Sequence, residues 1–193
     1  MASAQLAPYL TVEEYLTYEK ESPIKHEYVN GQIYAMAGTS VPHNRLAGNL
    51  FSRLDNHLAE ATCQPFISDI KVMTSESQFY YPDVVVACDT ADADPYLRRE
   101  PVLIVEVSSP STERIDRNEK LPAYKRIPSV KEIVFVAQDR VRIEIFRRQG
   151  DAFWQTEVLT EMEDTLNLQS VGLTLTVAQV YRRVKFEQPN QTS

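Results

Sequence analysis

Two acidic residues, Asp83 and Glu106, stand beside the most apolar segments of this 193-residue chain. Asp83 precedes three consecutive valines, and Glu106 ends an apolar run that begins at Pro101. A carboxylate in or beside a buried strand loses hydration that only a cation, a hydrogen-bond donor or a proton can replace. In neighbouring strands the two carboxylates would repel each other unless a divalent cation held them. The pair therefore predicts an oxygen-bound metal site.

Each of these residues also has an ordinary structural explanation. Asp83 follows Pro82 and, taken alone, suits a turn that opens a strand. Glu106 alone suits a strand end paired with an arginine, because structural ion pairs perturb carboxylates as active sites do. Their joint occurrence favours the metal site.

A lysine follows the second apolar strand. Asp116, Lys120 and Tyr124 are four residues apart and share one face if the segment is helical. Lys120 would then face the carboxylate pair, where an ammonium stabilises charge developing on a phosphodiester or orients the attacking group. Pro122 opposes a regular helix, so the helix either begins near Glu119 or is kinked. A solvated helix face is the alternative for all three residues.

Hydrophobic periodicity predicts the elements that position these residues. Thr11 and Glu14 suit a capping box that opens a short helix, and Asn30-Gly31 is typical of a tight hairpin turn. Leucines at every fourth place predict a long helix from 42 to about 61. The predicted strands lie at about 64–73, 79–87, 102–108, 131–137, 140–148 and 153–160, with further helical segments at 112–127 and 177–184.

Two of these strands indicate the layering. The run at 102–107 is apolar at consecutive positions, which places it centrally in a sheet covered on both faces. The segment 140–148 alternates apolar and charged residues, which suits a half-solvated edge strand. The patterns predict an α/β fold with helices on both sides of the sheet and an antiparallel hairpin extension.

The whole chain fits one domain at about 9–184, with flexible ends at 1–8 and 185–193. No basic residue precedes an apolar run at the N-terminus, and no segment approaches about 20 apolar residues. We therefore expect a soluble, cytoplasmic protein without a membrane span. Cys63 and Cys88 lack metal-site spacing, so buried free thiols are expected rather than a disulfide or a zinc site.

The formal net charge is −7, from 27 acidic and 20 basic residues. This sign disfavours a protein that coats nucleic acid by broad attraction, yet it allows a nuclease whose acidic ligands are neutralised by a bound cation. Basic residues at 140, 142, 147, 148, 182, 183 and 185 could line a phosphate track, but interspersed acids favour a mixed solvated surface. Lys71 is expected on a strand surface.

Several residues occur in a characteristic order along the chain. They are Glu27 ahead of Asn30-Gly31, His43 before the long helix, Pro82-Asp83, the run 106–112 (Glu-Val-Ser-Ser-Pro-Ser-Thr), and then Asp116, Lys120 and Tyr124. The ordered set resembles the Uma-two restriction endonuclease family of the PD-(D/E)XK nuclease superfamily, over nearly the whole chain.

The resemblance implies a three-layer restriction-endonuclease-like core with a mixed β-sheet, a Mg²⁺ (or Mn²⁺) cofactor and hydrolysis of DNA phosphodiester bonds. Asp83 and Glu106 would be metal ligands and catalytic residues, and the catalytic Lys120 would come from the following helix. The superfamily often has its lysine two residues after the acid, where this chain has Ser108. Additional site residues implied in this way are Glu27, His43, Ser108, Asp116 and Tyr124. An exposed cross-strand pair for Glu27 and a surface position at a helix start for His43 are the alternatives.

Three functions are compatible with these observations. The leading hypothesis is a metal-dependent DNA endonuclease that forms a homo-oligomer, most simply a dimer. The second is a nuclease-like module without turnover, which acts through oligomerisation or a protein partner and pairs through the edge at 140–160. The third is a hydrolase of small phosphorylated or carboxylated molecules, which would require a closed pocket.

Overall fold

The computed structural model describes residues 9–88, 94–150 and 153–186. Of the expected flexible ends, 1–8 and 185–193, the residues 1–8 and 187–193 lie outside the described residues. The helices are α1 (Val12–Glu21), α2 (Val41–Leu58), α3 (Glu113–Ile115), α4 (Leu121–Lys125) and α5 (Val177–Val180), and a π-helical turn (Asp116–Lys120) joins α3 to α4. The strands are β1 (His26–Val29), β2 (Gln32–Ala35), β3 (Gln64–Ile67), β4 (Lys71–Ser75), β5 (Gln78–Tyr80), β6 (Val84–Ala87), β7 (Leu97–Arg98), β8 (Pro101–Ser108), β9 (Glu132–Ala137), β10 (Ile143–Gln149), β11 (Phe153–Leu159), β12 (Thr165–Leu168) and β13 (Leu173–Thr176).

A six-stranded mixed sheet with the order β11-β10-β9-β8-β6-β3 forms the centre of the fold. Strand β8 is parallel to β9 and antiparallel to β6, and its residues alternate between two buried faces. Leu103 and Val105 pack in a core with the leucines of α2, whereas Ile104 packs in a second core with Ala123 and Tyr124 of α4. The prediction of a central strand in a mixed sheet with helices on both sides is confirmed.

A second sheet, with the order β2-β1-β5-β4-β7, lies beside the α4 face of the first. Its β1–β2 hairpin turns at Asn30 and Gly31, whose φ angles of 49° and 94° are those of the predicted tight turn. Helix α1 covers the other face of this sheet, where Tyr15 packs against Tyr28. The Thr11–Glu14 capping box that starts α1 is present as predicted.

The hairpin extension is present, but the assignment of its edge was wrong. Strand β10 lies between β9 and β11, so β11 forms the edge of the six-stranded sheet. The charged residues Glu144 and Arg147 of β10 are buried, because Arg117 pairs with the first and Glu132 with the second. Alternating charge therefore marked internal ion pairs and not a solvated face. The β12–β13 hairpin was not predicted.

Two predictions for single residues were also wrong. Cys63 and Cys88 form a disulfide and are not free thiols. Gln64 pairs with Ala87 across β3 and β6, so the cysteines that flank these partners are opposite each other in the register. Sequence spacing cannot show that register. Lys71, expected on a strand surface, is only 6% exposed, and its ammonium lies against the rings of Tyr81 and Tyr96.

Within the described ranges, no helix has both the length and the apolar character needed to cross a membrane. A cytoplasmic location stays a prediction, and the disulfide is unusual for a reducing compartment.

Candidate functional site

Asp83 lies directly before β6, at the point where Pro82 ends sheet pairing. Val84 pairs with Val105 of β8, so the same antiparallel register sets Asp83 opposite Glu106. The backbone N–H of Val107 donates to Oδ2 of Asp83 at 2.7 Å. The backbone of Val107, which follows Glu106, therefore holds the carboxylate of Asp83 in place.

Glu106 points to the α4 face of the six-stranded sheet, because it is two residues beyond Ile104 on β8. The side chain is 5% exposed, and its Oε1 accepts hydrogen bonds from Tyr124 Oη at 2.6 Å and Lys120 Nζ at 3.3 Å. Burial raises the pKa of Glu106 to about 8, against the attraction of Lys120 and with further repulsion from Asp83. The carboxylate is held by donors but remains costly to ionise.

Lys120 joins the two sheets. Its Nζ lies 2.7 Å from Oε1 of Glu27 on β1 and 3.3 Å from Oε1 of Glu106 on β8. Burial lowers the pKa of Lys120, but the charges of Glu106 and Glu27 outweigh burial and raise it above its ordinary value. The amine is therefore an ammonium at neutral pH. It also lies 5.7 Å from the centre of the Tyr80 ring, within cation–π range.

The π-helical turn resolves the conflict between the predicted helix face and Pro122. The N–H of Leu121 donates to the carbonyl of Asp116, five residues back, and α4 then begins with Pro122 in its first turn. Lys120 therefore ends the π-helical turn while Tyr124 lies on α4, and both side chains still meet Glu106. The alternative of a solvated face is wrong for Asp116, Lys120 and Tyr124, which are all buried.

Asp116 is a third acidic group beside the ammonium. Burial raises its pKa, whereas Lys120 and the hydroxyls of Thr112 and Ser108 favour the charged form. Ser108, at the end of β8, lies close to Asp116, but its buried Oγ makes no hydrogen bond of ordinary geometry among the described residues. The π-helical turn places Asp116 at 4% exposure on the same side of the sheet as Glu106.

His43 is in the first turn of α2, where Ser40 accepts a hydrogen bond from its backbone N–H. Its Nε2 lies 3.3 Å from Oδ2 of Asp83, and both side chains are 15% exposed. His43 is thus at a helix start, as the alternative had it, but its ring is directed at the carboxylate. Glu27 is likewise held by Lys120 and is not an exposed cross-strand residue.

The donor set fits a small oxygen-bound divalent cation. Among the described residues, Asp83 makes its contacts through Oδ2 and Glu106 through Oε1, which leaves Oδ1 and Oε2 without protein donors. Oε1 of Glu27 is buried beside the ammonium of Lys120, 2.7 Å from its Nζ. Over the described ranges, no group of three or more His, Cys, Asp or Glu is arranged to hold a metal ion. Two carboxylates, with water and substrate phosphate, are what Mg²⁺ commonly takes.

Tyr80 and the backbone N–H of Val107 are part of this site but were not predicted. Burial, with the charge of Glu27, raises the pKa of Tyr80 to about 12. The Tyr80 ring packs edge-to-face on the Tyr124 ring, with 5.8 Å between the ring centres. Only the docking of the two sheets brings this ring beneath Lys120. No local sequence signal marks it.

Comparisons with known proteins show the family of this chain. Residues 12–178 match the family Uma2, described as "Putative restriction endonuclease". The chain belongs to the Uma2 family. This Uma2 chain is 37% identical to the uncharacterized Synechocystis protein slr1290, over 93% of this chain and 95% of that protein. It is 34% identical to the uncharacterized protein sll1609 of the same organism, over 79% of this chain and 87% of that protein.

The fold of this Uma2 chain is also similar to a crystal structure from Anabaena variabilis described as a "putative nuclease". The TM-score is 0.73 at 16% identity, and the match covers 89% of this chain and 97% of that one. At this identity the likeness concerns the fold alone. The predicted family and the predicted α/β fold class are both confirmed.

Proposed function

We propose that this Uma2 chain is an endonuclease that hydrolyses DNA phosphodiester bonds with Mg²⁺ or Mn²⁺. Membership of a restriction endonuclease family supports a nuclease in general terms. The observation that carries the finer proposal is the buried ammonium of Lys120 between Glu106 and Glu27, with Asp83 opposite Glu106 in the register. An ammonium beside paired carboxylates suits a reaction in which negative charge develops on phosphate oxygens.

Asp83 and Glu106 would hold the cation through the oxygens that face no protein donor among the described residues. When bound, a divalent cation lowers the pKa of a water ligand and neutralises charge on the scissile phosphate. The Val107 N–H and the Tyr124 hydroxyl fix the two carboxylates through their other oxygens. These contacts keep the metal-binding oxygens in place before substrate arrives.

Lys120 would donate to a nonbridging phosphate oxygen. It is an ammonium at neutral pH, so it stabilises charge and does not accept a proton. Its Nζ lies 2.7 Å from Glu27 and 3.3 Å from Glu106, and an ammonium has three donors, so one donor remains for substrate. Glu27 is therefore a positioning residue in the proposed mechanism.

Calorimetric titration with Mn²⁺, followed by cleavage of supercoiled plasmid, tests this proposal. We expect wild type to bind Mn²⁺ and cut, and Asp83→Asn and Lys120→Met to reduce cleavage by at least about a hundredfold, the usual effect of losing such a group. Glu60→Gln, which removes an exposed carboxylate on the surface, is the matched control. Absence of Mn²⁺ binding by wild type, or undiminished cleavage by Asp83→Asn, would contradict the proposal.

A dimer is proposed from a separate observation. Strand β11 is an edge strand, and its Phe153 and Val158 are 66% and 42% exposed. An exposed apolar edge is a surface on which a second copy can pair. Light scattering should give twice the monomer mass for wild type and the monomer mass for Val158→Lys. A dimer that neither binds nor cuts DNA would favour the alternative of an inactive nuclease-fold module.

A further inference from the structure

Four arginines on or near β10 are paired with acids of this chain. Arg147, for example, is buried against Glu132. These pairs leave little net positive charge for an incoming anion. The other paired arginines are Arg117 and Arg142 with Glu144, and Arg140 with Asp139 and Glu113.

A groove between α2 and the chain that follows α5 differs from these paired arginines, because no acidic side chain lines it. It has a volume of about 280 Å³ and is lined by Asn49, Ser52, Arg53, Asn56, Gln179 and Arg182. All six side chains carry hydrogen-bond donors, and none is acidic. Among the described residues, no carboxylate lies within ion-pair distance of Arg53 or Arg182. The groove is thus a positive site on a chain with a net charge of −7.

The groove is held in shape by a half-buried asparagine. Nδ2 of Asn49 donates to the carbonyls of Val180 and Arg182, at 2.8 Å and 2.9 Å. These bonds fix the segment after α5 against α2, so that Arg182 is held beside Arg53. Two guanidinium groups with amide donors between them match the tetrahedral oxygens of a phosphate, which arginine binds in a bidentate manner.

We propose that this groove binds backbone phosphates of the nucleic acid that the candidate site cleaves. The choice of nucleic acid as the source of the phosphate rests on the proposed function. Helix α2 connects the two places, because His43 in its first turn contacts Asp83 and Arg53 is ten residues further on. At 1.5 Å per residue this is about 15 Å along the helix axis, the length of about four base pairs. The groove would hold a flanking part of the substrate and not the scissile bond.

The test is fluorescence anisotropy of a labelled DNA duplex with the full chain in EDTA, which separates binding from cleavage. The groove variant is Arg53→Gln with Arg182→Gln. The control is Lys20→Gln with Lys131→Gln, which removes the same charge from exposed residues elsewhere. We expect the slope of log K against log salt to fall in magnitude by about two for the groove variant and to stay unchanged for the control.

The outcomes separate this inference from the proposed function. If wild type cuts DNA and the groove variant keeps the wild-type salt slope, the inference is wrong and the function stands. If the salt slope of the groove variant falls as expected but wild type does not cleave DNA, phosphate binding by the groove is supported and the proposed nuclease activity is contradicted. If wild type binds no DNA, the inference is overturned. A parallel titration with inorganic phosphate would then show whether the groove serves a free anion instead.

Discussion

Replacing Glu106 by glutamine should stabilise the cation-free protein at alkaline pH. Burial, with repulsion from Asp83 and Asp116, raises the pKa of Glu106 from 4.5 to about 8. Between these two values the folded state binds more protons than the unfolded state. The wild type therefore loses stability as pH rises from about 4.5 to about 8. A glutamine side chain does not titrate, so the Glu106→Gln variant is free of this loss.

The size of the effect follows from the same two pKa values. Their difference, multiplied by about 1.36 kcal/mol per pKa unit, gives about 5 kcal/mol. Relaxation of the site and entry of water reduce this limit, so we expect about 2–5 kcal/mol. Lys120 keeps Glu27 as a partner in the variant, which limits the cost of the substitution itself.

Urea unfolding in EDTA at several pH values between 5 and 9 measures this difference. The free energy of unfolding of Glu106→Gln should rise relative to wild type as pH increases, and the two should change in parallel below about pH 5. Glu60→Gln is the control, since its carboxylate is exposed. If the free energies of unfolding of wild type and Glu106→Gln change in parallel from pH 5 to 9, ionisation of Glu106 does not destabilise the folded protein. The reasoning is then refuted.

Three further variants test other parts of the structure by urea unfolding. Tyr124→Phe removes a donor to buried Glu106, so we expect a loss of about 1–3 kcal/mol at pH 9; an unchanged value would mean that the bond contributes nothing. Replacing Cys63 and Cys88 by Ser opens a 25-residue loop and should lower the free energy of unfolding by about 3 kcal/mol. If the wild type has the same urea midpoint with and without reductant, no disulfide forms. Lys71→Met removes a buried ammonium whose pKa is lowered by burial, and it should leave stability at pH 7 equal or higher; a loss above about 1 kcal/mol would contradict this.

The carboxylate pair could be predicted from the sequence because its signal is local. Asp83 and Glu106 stand at ends of apolar strands, and a buried strand end restricts what a charged residue can do. The central position of β8 was predictable for the same reason, since every residue from Pro101 to Val107 is buried. Helix α1 and the β1–β2 turn were predictable from capping and turn residues.

What could not be predicted depends on how distant segments dock. The disulfide requires the register of β3 against β6, and the burial of Lys71 requires the rings of Tyr81 and Tyr96 to pack against it. The π-helical turn is a response to Pro122 within a segment whose side chains must still reach Glu106. Charged residues on β10 gave a misleading signal, because alternation cannot distinguish solvent from a partner such as Arg117.

The contact of Lys120 with Glu27 also has a consequence for the order of folding. Lys120 on the π-helical turn and Glu27 on β1 are 120 − 27 = 93 positions apart, whereas Asp83 and Glu106 are only 23 apart in adjacent strands. Closing the longer loop costs more entropy and requires both sheets to exist first. Lys120 is only 14 positions from Glu106, so we expect Asp83, Glu106 and Lys120 to meet early and Glu27 to arrive last. Under the proposed mechanism, a partly folded chain would then hold its lysine without the carboxylate that positions it, and would cut nucleic acid poorly until the second sheet had docked.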